Sequence, residues 1–342
     1  MKSIKTLSNS KAMHIDMNRV RRFSKFVKAT SIPTEEEVSR IRSRLLKSSW
    51  HLFDDVISTY PAKQLYVTLE SLLNKSNFPF MESLNSDNDV YRENFDLNKQ
   101  FKIGDNLPIG YSLAYCNPLS SEQELSPDGY DNYHAPTTNS KEFFKRRMWV
   151  SGSFNYDKSN SLRFGDTIHF TETVERVKFL PKNNVIFADY KRCFDNTHGN
   201  SLIEFRRLCY LDKKFETTEK ESKTSSIVPD KSIVLHPSII TSFRMSALTF
   251  NSHQIHYNPQ YAQNIENYTD VVLEAPLLVA LVLQFWSDNN PGTMISSFKY
   301  KITSPCFINA PMTINYKMCD DHTQLWICND KSRTCFESTI QR

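Results

Sequence analysis

The sequence predicts an α+β protein with an N-terminal helical extension followed by two strand-rich halves. Three segments of the first half alternate apolar and polar residues and are rich in β-branched and aromatic side chains, as half-buried strands are. These segments are residues 166–179, 184–193 and 201–211. Two shorter strand candidates lie near the C-terminus, at residues 324–328 and 334–339. One apolar helix is predicted between the two groups, at residues 275–286.

A weak internal repeat suggests that the two halves share one plan. Phe-Asn-Tyr at 154–156 is followed, after a ten-residue gap, by Thr-Ile-His-Phe at 167–170. Phe-Lys-Tyr at 298–300 is followed, after a similar gap, by Thr-Ile-Asn-Tyr at 313–316. We therefore expect strands in corresponding positions of the two halves.

Composition and charge exclude several classes of protein. A chain of 342 residues can form one large or two medium domains with ample core. Its 7 glycines include neither a G-x-G-x-x-G nor a P-loop phosphate motif. The net charge of +4 is uneven, because residues 1–31 carry eight Lys or Arg against the single acid Asp16 and the remainder sums to −3. We therefore expect no nucleic-acid binding by the folded body.

The basic leader, residues 1–31, predicts mitochondrial targeting. It combines Arg, Lys, Ser and Thr with scattered apolar residues and almost no acid, as a mitochondrial presequence does. A disordered basic tail is the alternative interpretation. The seven cysteines form no C-x-x-C pair, so we expect reduced, mostly structural thiols in a reducing compartment.

Residues 32–98 are interpreted as the helical extension. Thr34 and Glu37 have the spacing of a capping box at a helix start. The apolar face of this helix would be Val38, Ile41, Leu45, Leu46, Leu52, Phe53 and Val56, with a break near Trp50 as an alternative. A second helical segment is predicted at residues 64–73, before a Ser-, Asn- and Asp-rich stretch that ends at Asn98. We expect no catalytic role for this extension.

The remainder divides into two halves and a linker. The first half, residues 99–212, would start with an extended run from Phe101 through Tyr115 and continue into a long loop that contains Pro-Asp-Gly-Tyr at 127–130. Residues 213–232 are rich in Lys, Glu, Thr and Ser and are typical of a solvated linker. The second half is residues 233–342.

The stretch from Phe250 to Trp286 combines a polar loop with the apolar helix. The loop places Asn251, His253 and His256 within six residues and ends in an Asn-Pro turn. The helix has proline at its second position and apolar residues on every face, so it should be buried all round. It is too short to span a bilayer. Free N–H groups at such a helix start stabilise negative charge on a carbonyl oxygen, while an imidazole in the preceding loop moves a proton.

The loop and helix resemble the MaoC-like hydratase/dehydratase branch of the hot-dog fold, whose loop pattern is Asp-x-Asn-Pro-aliphatic-His. Residues 251–256, Asn-Ser-His-Gln-Ile-His, lie in that register, with Asn251 at the family's carboxylate position. The Asn-x-His-x-Ile-His form is similar to the fungal mitochondrial 3-hydroxyacyl-thioester dehydratase type 2 family, from about Phe101 onward. The resemblance implies a double hot-dog, two curved antiparallel sheets each wrapped around a helix. It also implies a mitochondrial matrix lyase of fatty-acid synthesis that needs no metal or redox cofactor.

The resemblance assigns roles to individual residues. His256 would be the catalytic base, because a neutral imidazole takes a proton near neutral pH. Asn251 does not titrate and would orient the hydroxyl or water, with an asparagine that only caps its own turn as the alternative. Ala275 replaces the family's glycine and would supply the oxyanion N–H if the turn does not demand a positive φ. His253 would support His256. Glu274 is expected to be exposed; the alternative is that its carboxylate replaces the one that the family has at position 251.

A basic cluster in the first half holds Lys141, Lys145, Arg146 and Arg147 and is interpreted first as a solvated charged face, with substrate docking as the alternative. As a docking surface, this cluster would attract the phosphate of coenzyme A or an acidic acyl carrier protein. Its Arg-Arg-Met-Trp core also matches the fungal family. The first half shows no comparable histidine loop and would accommodate the acyl chain or thioester arm.

Two other functions stay open. A hot-dog thioesterase would need a carboxylate near the helix, for which Glu274 and Asp270 are the candidates. A binding scaffold would have a degenerate site that no longer turns over substrate.

A metal site on His253 and His256 lacks a third and fourth ligand in the sequence. Association of two chains into a homodimer is also left open.

Overall fold

The structure is a computed structural model that describes residues 26–73, 97–138, 141–216 and 227–342. Most of the predicted leader, most of the Ser-, Asn- and Asp-rich stretch and residues 217–226 of the predicted linker lie outside the described residues.

A ten-stranded antiparallel sheet forms the body of the protein. Its order is β2-β6-β7-β8-β5-β10-β13-β12-β11-β9. The strands are β2 Ser49–Val56, β5 Arg146–Tyr156, β6 Thr167–Leu180, β7 Val185–Asn196, β8 Gly199–Leu211, β9 Lys231–Leu235, β10 Ser297–Ile302, β11 Met312–Met318, β12 His322–Cys328 and β13 Thr334–Gln341. A small second sheet has the order β1-β4-β3 and contains β1 Val27–Lys28, β3 Thr137–Thr138 and β4 Lys141–Glu142.

The large sheet consists of two five-stranded halves with the same strand order. In each half the first strand along the chain lies at the outer edge and the second lies at the seam between the halves. At the seam, β5 pairs with β10 and Phe154 lies opposite Phe298, so the first segments of the sequence repeat meet there. The second segments of the repeat lie on β6 and β11. The repeat therefore marks corresponding strands, as predicted.

Five α-helices accompany the sheet in the part of the chain that the structure describes. They are α1 Glu35–Lys47, α2 Thr59–Leu73, α3 Leu97–Gln100, α4 Ile239–Leu248 and α5 Ala275–Asn289. Every residue of α5 from Leu277 to Trp286 is buried, so the prediction of a helix buried on all faces is confirmed. Its one interior polar side chain, Gln284, accepts a hydrogen bond from the Tyr111 hydroxyl at 2.9 Å and donates to Asp288 at 2.8 Å. The polar group is therefore satisfied within the core.

The two packed halves and their helices confirm the α+β double hot-dog prediction. The second half curves around α5, and α2 packs against both α4 and α5 in the common core. No helix among the described residues is both long enough and apolar enough to cross a membrane.

The prediction of one long helix after Thr34 was wrong beyond Lys47. The capping box of Thr34 and Glu37 is present, but the helix ends at Lys47 and residues 49–56 form β2 along the edge of β6. Trp50 and Leu52 pack toward the core while their neighbours face solvent, which is the period of a strand. The free backbone edge of β6 provides hydrogen-bond partners that the local sequence does not reveal. Residues 32–98 are thus not a purely helical extension, since β2 belongs to the large sheet.

Three further sequence assignments need correction. Val27 and Lys28, placed in the leader, pair with β4, so the folded part extends into that segment. The run from Phe101 to Tyr115 is not extended, because Tyr111–Ala114 forms a single turn of 3-10 helix. Helix α4 had not been predicted, and it positions the start of the polar loop.

Candidate active site

A cleft of about 1320 Å³ lies between the polar loop, the start of α5 and loops of the first half. Its walls include Asn251, His253, His256, Glu274 and Ala275. The loop and the helix start therefore face one cavity, as the sequence interpretation required. The arrangement brings a histidine, an amide and a helix N-terminus to one small region.

The end of α4 fixes the beginning of the loop. Phe250 adopts a positive φ of 54°, which turns the chain sharply after the helix. The Asn251 N–H then donates to the Ser246 carbonyl at 2.8 Å, and the Asn251 side-chain oxygen accepts from the His253 N–H at 3.1 Å. A strained conformation at a bulky residue costs about 1–3 kcal/mol and is held in place by surrounding contacts. Asn251 is therefore part of the loop's own hydrogen bonding as well as of the cleft wall.

His256 is a half-buried histidine with a defined tautomer. Its Nδ1 lies 2.8 Å from the Val272 carbonyl, which only accepts, so Nδ1 carries the proton and Nε2 carries a lone pair. Within the part of the chain that is described, Nε2 has no hydrogen-bond partner. Burial, assisted by the neighbouring His253, lowers the pKa of His256 to about 3. The ring is therefore neutral at physiological pH and presents a proton acceptor.

Ala275 begins α5 without backbone strain. Glu274 caps the helix with φ −67° and ψ 139°, and Ala275 is not among the residues with positive φ. The turn therefore does not demand a positive φ at Ala275, which was the condition for alanine to replace the family's glycine there. No acceptor for the Ala275 N–H occurs in the described ranges, as expected in the first turn of a helix. The donor is available to an oxyanion at the positive end of the helix dipole.

The expectation that Glu274 is exposed was wrong. Its side chain is 1% exposed and lies in the cleft wall, where its Oε1 accepts from the Ser246 hydroxyl at 2.7 Å and from the Asn251 amide at 3.0 Å. Burial raises the pKa of Glu274 to about 8, although both hydrogen bonds oppose the rise. The carboxyl group therefore sits beside Asn251, which occupies the position of the family's carboxylate. The sequence did not predict this burial, because it depends on α4 packing over the start of α5.

A loop of the first half holds the polar loop of the second half. The Ser252 hydroxyl donates to the Gly129 carbonyl at 2.6 Å, and the Gln254 N–H donates to the Asp128 carbonyl at 2.9 Å. Gly129 has φ +85°, and a Cβ there would lie 2.1 Å from the Ser252 carbonyl oxygen. Only glycine allows this approach. The position of the loop in the second half is therefore set by the first half.

Asp128 and Arg147 anchor this contact. Asp128 is buried and accepts from the Arg147 guanidinium at 2.6 Å, and its Oδ2 lies 3.5 Å from Nε2 of His253. Despite the burial, the positive charge of Arg147 holds the pKa of Asp128 well below its usual range. Arg147 also donates to Glu142 at 3.2 Å and stacks over the Tyr130 ring at 3.8 Å. His253 thus faces the anchor and packs edge-to-face on His256, consistent with a supporting position.

The basic cluster of the first half is largely neutralised. Arg147 is buried in the anchor just described, Arg146 pairs with Glu266, and Lys145 lies 3.1 Å from Asp212. Lys141 is exposed on β4, apart from these pairs. Three other cations line the cleft and form no ion pair within the described ranges; they are Lys301, Lys331 and Arg333. A charge count along the sequence does not separate buried cations from free ones.

Sequence reasoning missed two further groups of the first half, one that holds the polar loop and one that lines the cleft. Asp128 and Gly129 were assigned to a loop without a role, although an Asp-Gly pair in a long loop is a signal for a tight turn. His134 of the first half lies 2.9 Å from Glu172, which also lies 3.1 Å from Arg192. This buried network lines the part of the cleft formed by the first half.

Comparison with known proteins agrees with this architecture. A MaoC-like dehydratase from Phytophthora capsici superposes with a TM-score of 0.59 at 11% identity, covering 88% of this chain and 97% of that one. HtdX of Mycobacterium tuberculosis superposes with a TM-score of 0.56 at 10% identity, covering 86% and 99%. The fold is therefore the double hot-dog fold of these MaoC-like proteins.

Sequence comparison identifies the family within this fold. The family model for hydroxyacyl-thioester dehydratase type 2 matches residues 110–308. The mitochondrial hydroxyacyl-thioester dehydratase type 2 of Schizosaccharomyces pombe is 31% identical over 245 residues, which cover 65% of this chain and 80% of that protein. The protein of the same name from Saccharomyces cerevisiae is 23% identical over 192 residues, covering 53% and 66%. The chain belongs to the hydroxyacyl-thioester dehydratase type 2 family.

The approach of Gly129 to Ser252 predicts a specific effect of Gly129→Ala. We expect turnover to fall by about 10²-fold, because a displacement of about 1 Å in the loop misplaces His256. Gly104→Ala is the matched control, since Gly104 also has positive φ, +92°, but no atom within 4 Å of the new Cβ. Both variants should lose about 1–2 kcal/mol of stability from backbone strain. Equal losses of turnover in the two variants would contradict this role for the contact.

The buried anchor predicts a large loss of stability in Arg147→Ala. Removal of the guanidinium leaves Asp128 and Glu142 buried with only Lys28, 3.6 Å from Asp128, as a neighbouring cation, so the free energy of unfolding should fall by about 3 kcal/mol. Lys145→Ala, which breaks a half-exposed pair, should change it by no more than about 1 kcal/mol. Urea denaturation of the two variants measures both effects. If Arg147→Ala lowers the free energy of unfolding as little as Lys145→Ala does, the buried ion pairs of Arg147 do not stabilise the protein as predicted.

Proposed function

We propose that this protein dehydrates (3R)-3-hydroxyacyl thioesters to trans-2-enoyl thioesters and water in mitochondrial type II fatty-acid synthesis. Membership of the hydroxyacyl-thioester dehydratase type 2 family supports the reaction class, that of a hydro-lyase. The observation that carries the proposal is that the free Nε2 of His256 and the free N–H of Ala275 face one cleft. Reversal of the same reaction is the hydration of an enoyl thioester.

The chemistry uses opposite ends of a three-atom unit of the substrate. The thioester oxygen would accept from the Ala275 N–H, where the helix dipole stabilises the enolate-like charge. The neutral His256 would then take a proton from C2 through Nε2, because its other nitrogen is held by the Val272 carbonyl. The 3-hydroxyl would leave from C3 as water. Asn251 supports this geometry by orienting the hydroxyl, since its amide does not exchange a proton.

The cleft also suits a substrate on a long carrier arm. At about 1320 Å³ it is larger than a typical small-molecule pocket, and residues of both halves line it. The lining cations Lys301, Lys331 and Arg333 support attraction of a phosphate, which both coenzyme A and the prosthetic arm of an acyl carrier protein provide. The fungal relatives are named as mitochondrial, which together with the basic leader supports a mitochondrial location. A matrix location, the carrier and association into a homodimer belong to the proposal.

A thioesterase is the second candidate, and one observation favours keeping it. Glu274 provides a carboxyl group in the wall beside the helix start, which is the group that a hot-dog thioesterase would use to activate water. A raised pKa makes this group a protonated acid at neutral pH, however, and a general base must be ionised. A non-catalytic binding scaffold would bind acyl thioesters without turnover.

The dehydratase proposal predicts that purified protein converts a 3-hydroxyacyl thioester to an enoyl thioester, detected by enoyl absorbance. His256→Ala should lower kcat by about 10²- to 10⁴-fold, because the variant has no base at C2. His198→Ala, which removes an exposed histidine from the turn between β7 and β8, is the matched control and should retain wild-type turnover.

The same assay separates the alternatives. Release of free thiol without enoyl absorbance would support the thioesterase. Tight binding of the thioester with neither signal would support the scaffold. Full activity of His256→Ala would overturn the assignment of the base.

A further inference from the structure

Glu274 is a buried acid without a counter-charge. No ion pair involves it among the described residues, whereas the other buried carboxylates beside the cleft, those of Asp128 and Glu172, each face a guanidinium. A lone carboxylate in such a place is costly, so burial favours the protonated form. A purely structural role would be served as well by a neutral glutamine. The presence of an acid rather than an amide in the cleft wall is consistent with a chemical role.

The hydrogen bonds of Glu274 locate its proton. Oε1 accepts from two donors, the Ser246 hydroxyl and the Asn251 amide. Oε2 is buried and has no hydrogen-bond partner in the described structure. The proton of the neutral acid therefore resides on Oε2, where it lacks an acceptor. A hydroxyl oxygen of a bound substrate would supply that acceptor once the Glu274 side chain turns toward the cleft that it lines, because Oε2 itself has almost no exposed surface.

Asn251 connects this acid to the catalytic loop. Its amide donates to Glu274 while its side-chain oxygen accepts from the His253 N–H, so the acid and the loop carrying His256 are held in one network. Asn251 stands where the wider family has a carboxylate, and Glu274 brings a carboxyl group to within hydrogen-bond distance of that position. Ala275, the next residue in the chain, carries the oxyanion N–H. The acid and the oxyanion donor are thus adjacent at the start of α5.

We propose that Glu274 is the general acid of the dehydration, protonating the 3-hydroxyl as it leaves. This assignment rests on the proposed dehydratase function and adds the second proton-transfer group, which His256 alone does not provide. The catalytic carboxyl group of this protein would thus belong to Glu274, the N-cap residue of α5, and not to position 251, where the wider family has its carboxylate.

The step balances without any co-reactant. The C2–H bond breaks as His256 takes the proton, and its electron pair forms the C2–C3 double bond. The C3–O bond breaks with its electron pair on oxygen, which receives the proton of Glu274 and departs as water. The enzyme is left with an imidazolium and a carboxylate. Transfer of one proton from His256 to Glu274 through water in the cleft restores the starting state.

The pH dependence follows from the groups around Glu274. The loop contributes His253 and His256, the segment before α5 contributes Asp270, and the connection between β10 and β11 contributes Cys306. Burial keeps both histidines neutral by lowering their pKa values, and Asp270 is bonded to Asn309 at 3.2 Å. A side-chain hydrogen bond with Cys335, together with burial, raises the pKa of the Cys306 thiol, so it stays neutral. Loss of activity with rising pH should therefore report Glu274, whose pKa lies at about 8.

The test is Glu274→Gln in the full-length protein. Glutamine keeps the shape and accepts the same two hydrogen bonds but transfers no proton. We expect kcat for dehydration to fall by about 10²-fold or more, with KM changed less than about threefold. The wild-type profile of kcat/KM should fall as pH rises through about 8, and this alkaline limb should be absent in the variant. Glu175→Gln, at an exposed glutamate on β6, is the matched control and should behave as wild type.

Ser246→Ala distinguishes a catalytic acid from a structural one. The Ser246 hydroxyl favours the ionised form of Glu274, so its removal should raise the pKa of Glu274 and move the alkaline limb to higher pH. A structural role would change stability without moving the limb. Circular dichroism and thermal unfolding of each variant establish that it is folded.

The outcomes separate this proposal from the proposed function. Wild-type protein that forms no enoyl product would refute the dehydratase function itself. Wild-type activity with Glu274→Gln retaining its kcat and its alkaline limb would overturn the role of Glu274 and leave the dehydratase function standing. An unfolded Glu274→Gln protein leaves the decision to Ser246→Ala, where an unmoved limb would overturn the proposal.

Discussion

The contact between the two halves at Gly129 and Ser252 is the constraint on which the site depends. Two loops 123 residues apart in sequence meet there. Their backbones lie so close together that a Cβ at position 129 would clash with the Ser252 carbonyl oxygen. The buried pair of Asp128 and Arg147 holds the first of these loops, and backbone hydrogen bonds transfer its position to the second. The loop that carries His256 is therefore positioned by the half of the protein to which none of the proposed catalytic groups belongs.

Helix α5 explains why the polar groups of the cleft have unusual protonation states. The helix is buried along its length, so its start lies at the bottom of a low-dielectric wall with unsatisfied N–H groups. In that setting an imidazole stays neutral and a carboxyl group keeps its proton, since both avoid a buried charge. A neutral base, a neutral acid and a helix dipole together suit the proposed elimination next to a thioester. The first half instead pairs its buried charges with guanidinium groups.

Some of the site was visible in the sequence and some was not. The loop at 251–256 and the apolar helix are continuous in sequence, so spacing and periodicity indicated both. Glu274 was predicted to be exposed because a glutamate just before a helix is usually solvated. That prediction was wrong, since Glu274 is buried and hydrogen-bonded to Ser246 of α4. The cations at 145–147 were interpreted as a solvated face or a docking surface, but their partners Asp128, Glu266 and Asp212 lie elsewhere in the chain. Likewise, residues 49–56 form a strand because their backbone pairs with the edge of β6, which is distant in sequence.

The sequence by itself determined the elements whose signals are local: the alternating strands, the all-apolar helix, the capping box of α1 and the histidine loop. Only the tertiary structure decided which charges are buried, which glycine is indispensable and where the acid of the cleft lies. The physical reason is that burial and ion pairing are properties of two segments in contact. Periodicity reports one segment at a time, while the free energy of a buried charge depends on the partner that folding brings to it.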